Sequence, residues 1–280
     1  MKPAPFTYAV ARTVEDAIAR FAAAEGEAKY IAGGQTLGPM LNLRLTQPDA
    51  LIDIGAIAAL RACDDSGAVV TLGAGIRHAE VEDGRVPDPS AGLMPRAART
   101  LAYRAVRNRG TLGGSVAHAD PAAEWPNILT ALDAVAQVAG PDGPRTVPLA
   151  QFVTGYLTVA LDPGEMLTGL AVPRLPPGAR TGYAKLCRQA GEFALSMAVC
   201  VLPGGGGTAR VVLGAGGQRP IVLASVAALA GGLGAWRAGA RSEIAAALDD
   251  DLGRAGVTLD ALDRRMHAAT LARSIEDALT

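Results

Sequence analysis

The chain has 280 residues, 50% of them hydrophobic, enough to bury a large core shared among two or three compact units. Lysine and arginine number 26, aspartate and glutamate 27, so a formal charge of -1 gives no general pull toward nucleic acid or an anionic membrane. An anionic ligand would have to be held by local groups. Cys63, Cys187 and Cys200 are odd in number and widely spaced, which argues against a disulfide framework and against CxxC-type zinc or iron-sulfur sites.

In chain order, the start "MKPAPFTYAV" has no apolar signal-peptide core, and the chain reads as cytoplasmic. The uncharged run Pro220 to Trp236 falls short of the roughly 20 residues of a spanning helix. Residues 5 to 60 read as a small α/β unit. "FTYAVA" is a strand, Thr13 caps a helix through Ala24, "AKYIAGG" is strand and turn, and a helix and the strand "ALIDIG" follow. "AVVTLGAGI" is β-rich, "AGLMPRAARTLA" has helical apolar spacing, and "AVRNRGTLGGSVAHAD" breaks into glycine turns. A second α/β unit then runs to about residue 172. The proline- and glycine-rich "AVPRLPPGARTG" suits a boundary, so the expected division is 1–172, with parts at about 1–56 and 57–172, and 173–280. Beyond it, "GYAKLCRQ", "SMAVCVLP" and "TARVVLGAGG" read as strands, with a turn at 204–207. Helices follow at about 223–230, 241–249 and 259–279.

Two glycine pairs carry the chemistry. After a strand, Gly33 and Gly34 let the backbone turn tightly and present successive N-H groups, an arrangement that suits either a phosphate or a purely structural turn. Gln35 and Thr36 add side-chain donors. Thr111-Leu112-Gly113-Gly114-Ser115 has the same character, and two such loops suit the two phosphates of a dinucleotide. Arg107 and Arg109, just upstream, fit a solvated or interface position as well as neutralisation of a ligand, and are not assigned. His118, Asp120 and Glu124 crowd polar side chains after the second loop. They read either as a helix start, with Asp120 as N-cap and Pro121 at the first position, or as partners of ligand hydroxyls. "GAGIRH" and "GAGGQR" lack the last glycine of GxGxxG, and no GxxxxGK[ST] or GxSxG occurs. The three histidines are not at metal-ligand spacing, and no acid-base pair stands out, so neither catalytic nor metal residues are assigned.

"AGGQTLGPMLNLRL", "RNRGTLGGSVAHADPAAEWP", "DPGEMLTGLAVP" and "GYAKLCRQAGEFALSMAVC" resemble, in order and spacing, the FAD-binding medium subunit of the molybdenum hydroxylases, the carbon monoxide dehydrogenase and xanthine dehydrogenase group. The resemblance implies an α+β fold. A two-part FAD-binding domain of the PCMH/vanillyl-alcohol-oxidase type would precede a smaller C-terminal α+β domain with a three-stranded antiparallel sheet. It implies FAD contacts at Ala32, Gly33, Gly34, Gln35, Thr36 and Leu37, and at Thr111, Gly113, Gly114, Ser115 and Ala117. Asp120 and Glu124 would lie near the ribityl chain and ribose, Leu167 against the isoalloxazine and Lys185 near the flavin ring. Thr36 stands where the family often has Ser, and Gln189 where it often has a second Arg. The implied role is electron transfer from [2Fe-2S] clusters of a small partner subunit to an external acceptor. A large subunit would hold the molybdenum cofactor, in a dimer of heterotrimers. An independent FAD-dependent oxidase or reductase, and a non-catalytic module of the same fold, are the alternatives.

Overall fold

The computed structural model describes residues 2–204, 207–230, 236 and 241–280. β1 (Thr7–Val10), α1 (Val14–Ala22), β2 (Ala28–Ile31), α2 (Leu37–Asn42) and β3 (Ala50–Asp53) form the first unit. Its strands are parallel, in the order β1-β3-β2. Thr13 caps α1 as expected, its hydroxyl oxygen accepting from the Asp16 N-H at 3.1 Å, while the Asp16 carboxylate accepts from Arg12 N. Ala11, Ala17, Ile52, Ile57, Leu60 and Met166 make the core of this unit. The Gly33-Gly34 loop leaves the carboxyl end of β2, the edge of a parallel sheet at which ligands are usually held.

The second unit holds β4 (Cys63–Asp64), β5 (Val69–Gly73), β6 (Val135–Gly140), β7 (Gly143–Pro148), the short hairpin β8 (Val153–Gly155) and β9 (Thr158–Val159), and β10 (Met166–Pro173). β10, the last strand of this unit, lies at the centre of an antiparallel sheet ordered β4-β5-β10-β6-β7. Its helices are α3 (His78–Glu82), α4 (Leu93–Ala98), α5 (Arg104–Arg107), α6 (Leu112–His118), α7 (Glu124–Ala131) and α8 (Leu149–Phe152). The expectation that residues 105–120 break into glycine turns is corrected. Arg104–Arg107 and Leu112–His118 are helical, and Gly113 and Gly114 lie in the first turn of α6. Thr111 makes that turn possible: it is extended (φ -116, ψ 153) and its hydroxyl accepts from Gly114 N at 3.0 Å.

The third unit is β11 (Arg180–Leu186), β12 (Ser196–Leu202), β13 (Arg210–Gly214), β14 (Ile221–Val222), α9 (Ala224–Leu229), α10 (Arg241–Ala255) and α11 (Ala261–Leu279). The expected three-stranded sheet has four strands, in the order β11-β12-β13-β14. The added strand pairs Ile221 with Leu213 and Val222 with Val212, and two residues are too few to show a period-2 pattern in sequence. Of the glycine turn expected at 204–207, Gly205 and Gly206 lie outside the described residues. β12 is buried along nearly its whole length because both faces are covered. Val199, Val201 and Val212 join the core around α7, while Ala198, Cys200, Val211 and Leu213 pack toward α11. This two-sided burial fixes β11, and with it Lys185, against the second unit.

Candidate functional site

A cleft of about 880 Å³ runs between the first two units and is closed at one end by β11 and the chain around Gly191 to Phe193. All fifteen residues singled out in the sequence line it: Ala32, Gly33, Gly34, Gln35, Thr36, Leu37, Thr111, Gly113, Gly114, Ser115, Ala117, Asp120, Glu124, Leu167 and Lys185.

The first glycine loop is held from behind and left open in front. A Cβ on Gly33 would come 2.9 Å from the Gly110 Cα and closer still to the Arg109 carbonyl, so Gly33 is bare because the two loops touch there. Gly34 has φ +68, a left-handed conformation that favours glycine. The backbone N-H groups of Gly33, Gly34, Gln35, Thr36 and Leu37 donate to no acceptor among the described residues. The Gln35 amide turns back to donate to Gly33 O at 3.1 Å, and Thr36, which opens α2, uses no side-chain cap bond. Five unspent N-H groups and a free hydroxyl in one loop make a strong site for an anion.

The second loop offers less backbone. Leu112 N donates to Ile76 O, Gly113 N to Ala74 O, Gly114 N to the Thr111 hydroxyl and Ser115 N to Thr111 O. Its glycine pair serves close packing: a Cβ on Gly113 would lie 2.8 Å from Ala74 O, and one on Gly114 2.7 Å from Thr111 Oγ1. What it presents to the cleft is the side chain of Ser115 and the exposed backbone surface of Gly114.

The polar group after this loop is arranged differently from a helix start at Asp120. α7 begins at Glu124 with Ala123 as its N-cap, while Asp120 Oδ1 accepts from Ala122 N at 2.8 Å and so closes a turn. A carboxylate at the first helical position meets the positive end of α7. Glu124 also meets Lys185 at 2.6 Å, with side chains only 3% and 6% exposed. Lys185 further donates to Thr100 O, and the Thr100 hydroxyl is 3.0 Å from Tyr183 Oη. Burial, followed by the Glu124 charge, raises the Tyr183 phenol well above its usual range, so it stays protonated and available as a donor. The positive charge of Lys185 is therefore already matched inside the wall. Leu167 lies beside an irregularity in the β10-β6 register between Leu167 and Gly169, and such a bulge re-aims a side chain, here toward the cleft.

Other residues at or near the cleft are left unassigned by the sequence. Arg107, which suited a solvated position, is 11% exposed: it pairs with Glu82 at 2.7 Å and donates to the Leu101 and Ala102 carbonyls. Those carbonyls belong to the strand of chain that bridges Leu101 to Gly191 at the closed end of the cleft. Phe193, 64% exposed, and Leu157 stand at the cleft as apolar surface. His78 and Arg77, from the "GAGIRH" stretch set aside for lacking a nucleotide fingerprint, also line it. Among the described residues, no group of three or more His, Cys, Asp or Glu is placed to hold a metal ion, and no helix is long and apolar enough to cross a membrane.

A sequence profile described as the FAD binding domain in molybdopterin dehydrogenase matches residues 4–175. The chain is similar to the 6-hydroxypseudooxynicotine dehydrogenase complex subunit alpha of Paenarthrobacter nicotinovorans, with 39% identity over 179 residues, 64% of this chain and 60% of that one. It is also similar to the carbon monoxide dehydrogenase medium chain of Hydrogenophaga pseudoflava, with 35% identity over 178 residues, 64% of this chain and 62% of that one. The sequence match thus spans about 60% of the length of these relatives. The structure of carbon monoxide dehydrogenase from Hydrogenophaga pseudoflava superimposes with a TM-score of 0.86 at 29% identity, covering 99% of this chain and 98% of that chain.

Proposed function

The chain belongs to the family of FAD-binding domains of molybdopterin dehydrogenases, and from that premise we propose that it is the FAD-carrying electron-transfer subunit of a heteromeric molybdenum-containing hydroxylase or dehydrogenase. The observation that carries this reading is the first glycine loop, whose five unspent N-H groups, at residues 33 to 37, face a cleft large enough for a dinucleotide. In this reading Ala32 to Leu37 hold the diphosphate from one side. Thr111, Gly113, Gly114, Ser115 and Ala117 close on it from the other, mainly through shape and hydroxyl groups. Asp120 offers a carboxylate oxygen to sugar or ribityl hydroxyls, and Leu167 with the apolar surface near Leu157 and Phe193 takes the ring system. When bound, FAD supplies one- and two-electron redox chemistry that no protein side chain here provides.

The Glu124-Lys185 pair makes a neutral, rigid wall at the β11 end, positioning the ring without presenting it with a net charge. In this reading the FAD-binding part is 1–172 and the C-terminal part 173–280, whose buried sheet holds Lys185 in place. Substrate oxidation would belong to a large molybdenum subunit and electron delivery to a small iron-sulfur subunit, in a dimer of heterotrimers. This chain would pass electrons to an external acceptor. The medium-chain and complex-subunit relatives support such partners.

The test is affinity purification of the chain from its native cell, with an absorption spectrum, subunit analysis and metal analysis of what accompanies it. FAD with a molybdenum-containing large subunit and an iron-sulfur small subunit is the expected result. A yellow protein that purifies alone would replace this reading with an independent flavoenzyme, and a colourless one with a non-catalytic module.

A further inference from the structure

His78 lines the cleft without belonging to either glycine loop or to the ion pair, and it is only 6% exposed. Its Nδ1 accepts a hydrogen bond from the Trp125 indole Nε1-H at 2.9 Å. An indole nitrogen can only donate, so Nδ1 carries no proton and the one N-H of the neutral ring is at Nε2. Trp125 is fully buried in the core and holds this tautomer rigidly. No acceptor among the described residues receives the Nε2 hydrogen.

The position of Nε2 indicates what could receive it. Gly110 packs on that edge of the ring: a Cβ there would sit 2.7 Å from Nε2 and 2.8 Å from Cδ2, so any larger residue would cover the donor. Gly110 is also the residue against which Gly33 packs, which puts Nε2 beneath the seam where the two glycine loops meet. The nearby Arg107 is already committed to Glu82 and two carbonyls, which leaves His78 as a neutral donor at this seam.

We propose that His78, fixed as its Nε2-H tautomer by Trp125, donates a hydrogen bond to a diphosphate oxygen of the bound dinucleotide and so helps set its position between the loops. This rests on the FAD reading above. Trp125 acts only through His78 and is a positioning residue. A neutral donor lowers the energy of the bound anion without adding a charge that would need a counter-ion when the cleft is empty.

The test uses the full chain and FAD itself as the probe, in equilibrium titrations followed by flavin absorbance and fluorescence. His78→Leu is expected to weaken FAD binding by about tenfold, the size of one hydrogen bond to a charged group. His78→Gln, which keeps a donor at similar reach, is expected to stay within about threefold of the unsubstituted chain, and Trp125→Phe to fall between the two. A merely structural role would make the affinities follow the thermal midpoints; the proposal expects His78→Gln to recover affinity whatever its midpoint. In the unsubstituted chain with nitrogen-15 histidine, the His78 signals should show an unprotonated Nδ1, and FAD should shift Nε2. Unchanged affinity in a folded His78→Leu variant, or a protonated Nδ1, would overturn the proposal while leaving FAD binding intact. Absence of FAD binding by the unsubstituted, folded chain would instead overturn the FAD reading and this inference with it.

Discussion

Gly33-Gly34 and Gly113-Gly114 are both glycine pairs with a hydroxyl residue close by on the same cleft, yet the first leaves a run of N-H groups unspent and the second has used its own. The difference lies in the residue that opens each following helix. Thr111 is extended and its hydroxyl binds Gly114 N, so α6 starts as a capped helix and draws the loop's backbone into itself. Thr36 is helical in its own backbone (φ -104, ψ -53) and makes no cap bond, so the turn before α2 keeps its donors pointing away from the chain. A glycine pair reports that something comes close to the backbone. At Gly33 it is the Arg109-Gly110 loop and at Gly113 the Ala74 backbone, both protein; the donors that remain free mark the side on which the proposed ligand would lie.

Substitutions can break this contrast. The largest effect is expected at the wall beyond both loops and sets the scale. Lys185→Met should cost about 3–5 kcal/mol in denaturant unfolding, because the Glu124 carboxylate is left buried without its partner. The double variant Glu124→Gln with Lys185→Met should recover much of that loss.

At the seam between the loops, burial and then the Arg107 charge hold the His78 pKa down at about 4. In the unfolded chain the imidazole takes up a proton near pH 6.5, so the unfolded state binds more protons between those values. Stability is therefore complete above about pH 6.5 and falls as the pH drops toward 4, by up to about 3 kcal/mol from this group. Burial lowers His118 and His267 as well, and they act in the same direction. His78→Gln should flatten part of this acid loss in unfolding curves measured from pH 7 to 4; an unchanged slope would contradict the assignment.

Gly113→Ala should cost about 1–3 kcal/mol through overpacking on Ala74, measured by denaturation. Gly34→Ala meets only Ile31 at 3.5 Å and should cost about 1 kcal/mol for its left-handed backbone. The smallest effects are the sharpest comparison. Thr111→Val should lose about 1 kcal/mol with its cap, whereas Thr36→Val should leave stability nearly unchanged and weaken FAD binding. Equal stability losses in the two threonine variants would erase the distinction between the loops.

The strands β1 to β3, β5 and β11 to β13 and the last helix were legible in sequence because their apolar periods are long enough to count, as in "GYAKLCRQ" and residues 261–279, whereas β4 and β6 to β10 were not singled out within the second unit. β14, two residues long, was not, nor was α6, whose glycines argue for a turn until the Thr111 cap and the Ala74 contact are seen. The candidate site was legible as a shared cleft where its residues are consecutive: both glycine loops and the residues after them line it. What stayed hidden depends on contacts across long stretches of chain. Lys185 and Glu124 are 61 residues apart, and His78 and Trp125 are 47 apart. A side chain's charge or tautomer is set by such a partner, which no local spacing reveals. Arg107 shows the same limit, since its burial follows from Glu82 on α3 and from carbonyls at the closed end of the cleft.

In the proposed function FAD is held in the cleft between the two glycine loops, chiefly by the backbone of the first. This is tested most directly by titrating the folded, flavin-stripped chain with FAD, alongside Gly34→Val, and measuring bound flavin per chain and the thermal midpoint of each. One FAD per unsubstituted chain is expected, with a large loss of binding in a Gly34→Val variant that remains folded. Full FAD occupancy in that folded variant, or none in the unsubstituted chain, would contradict this reading.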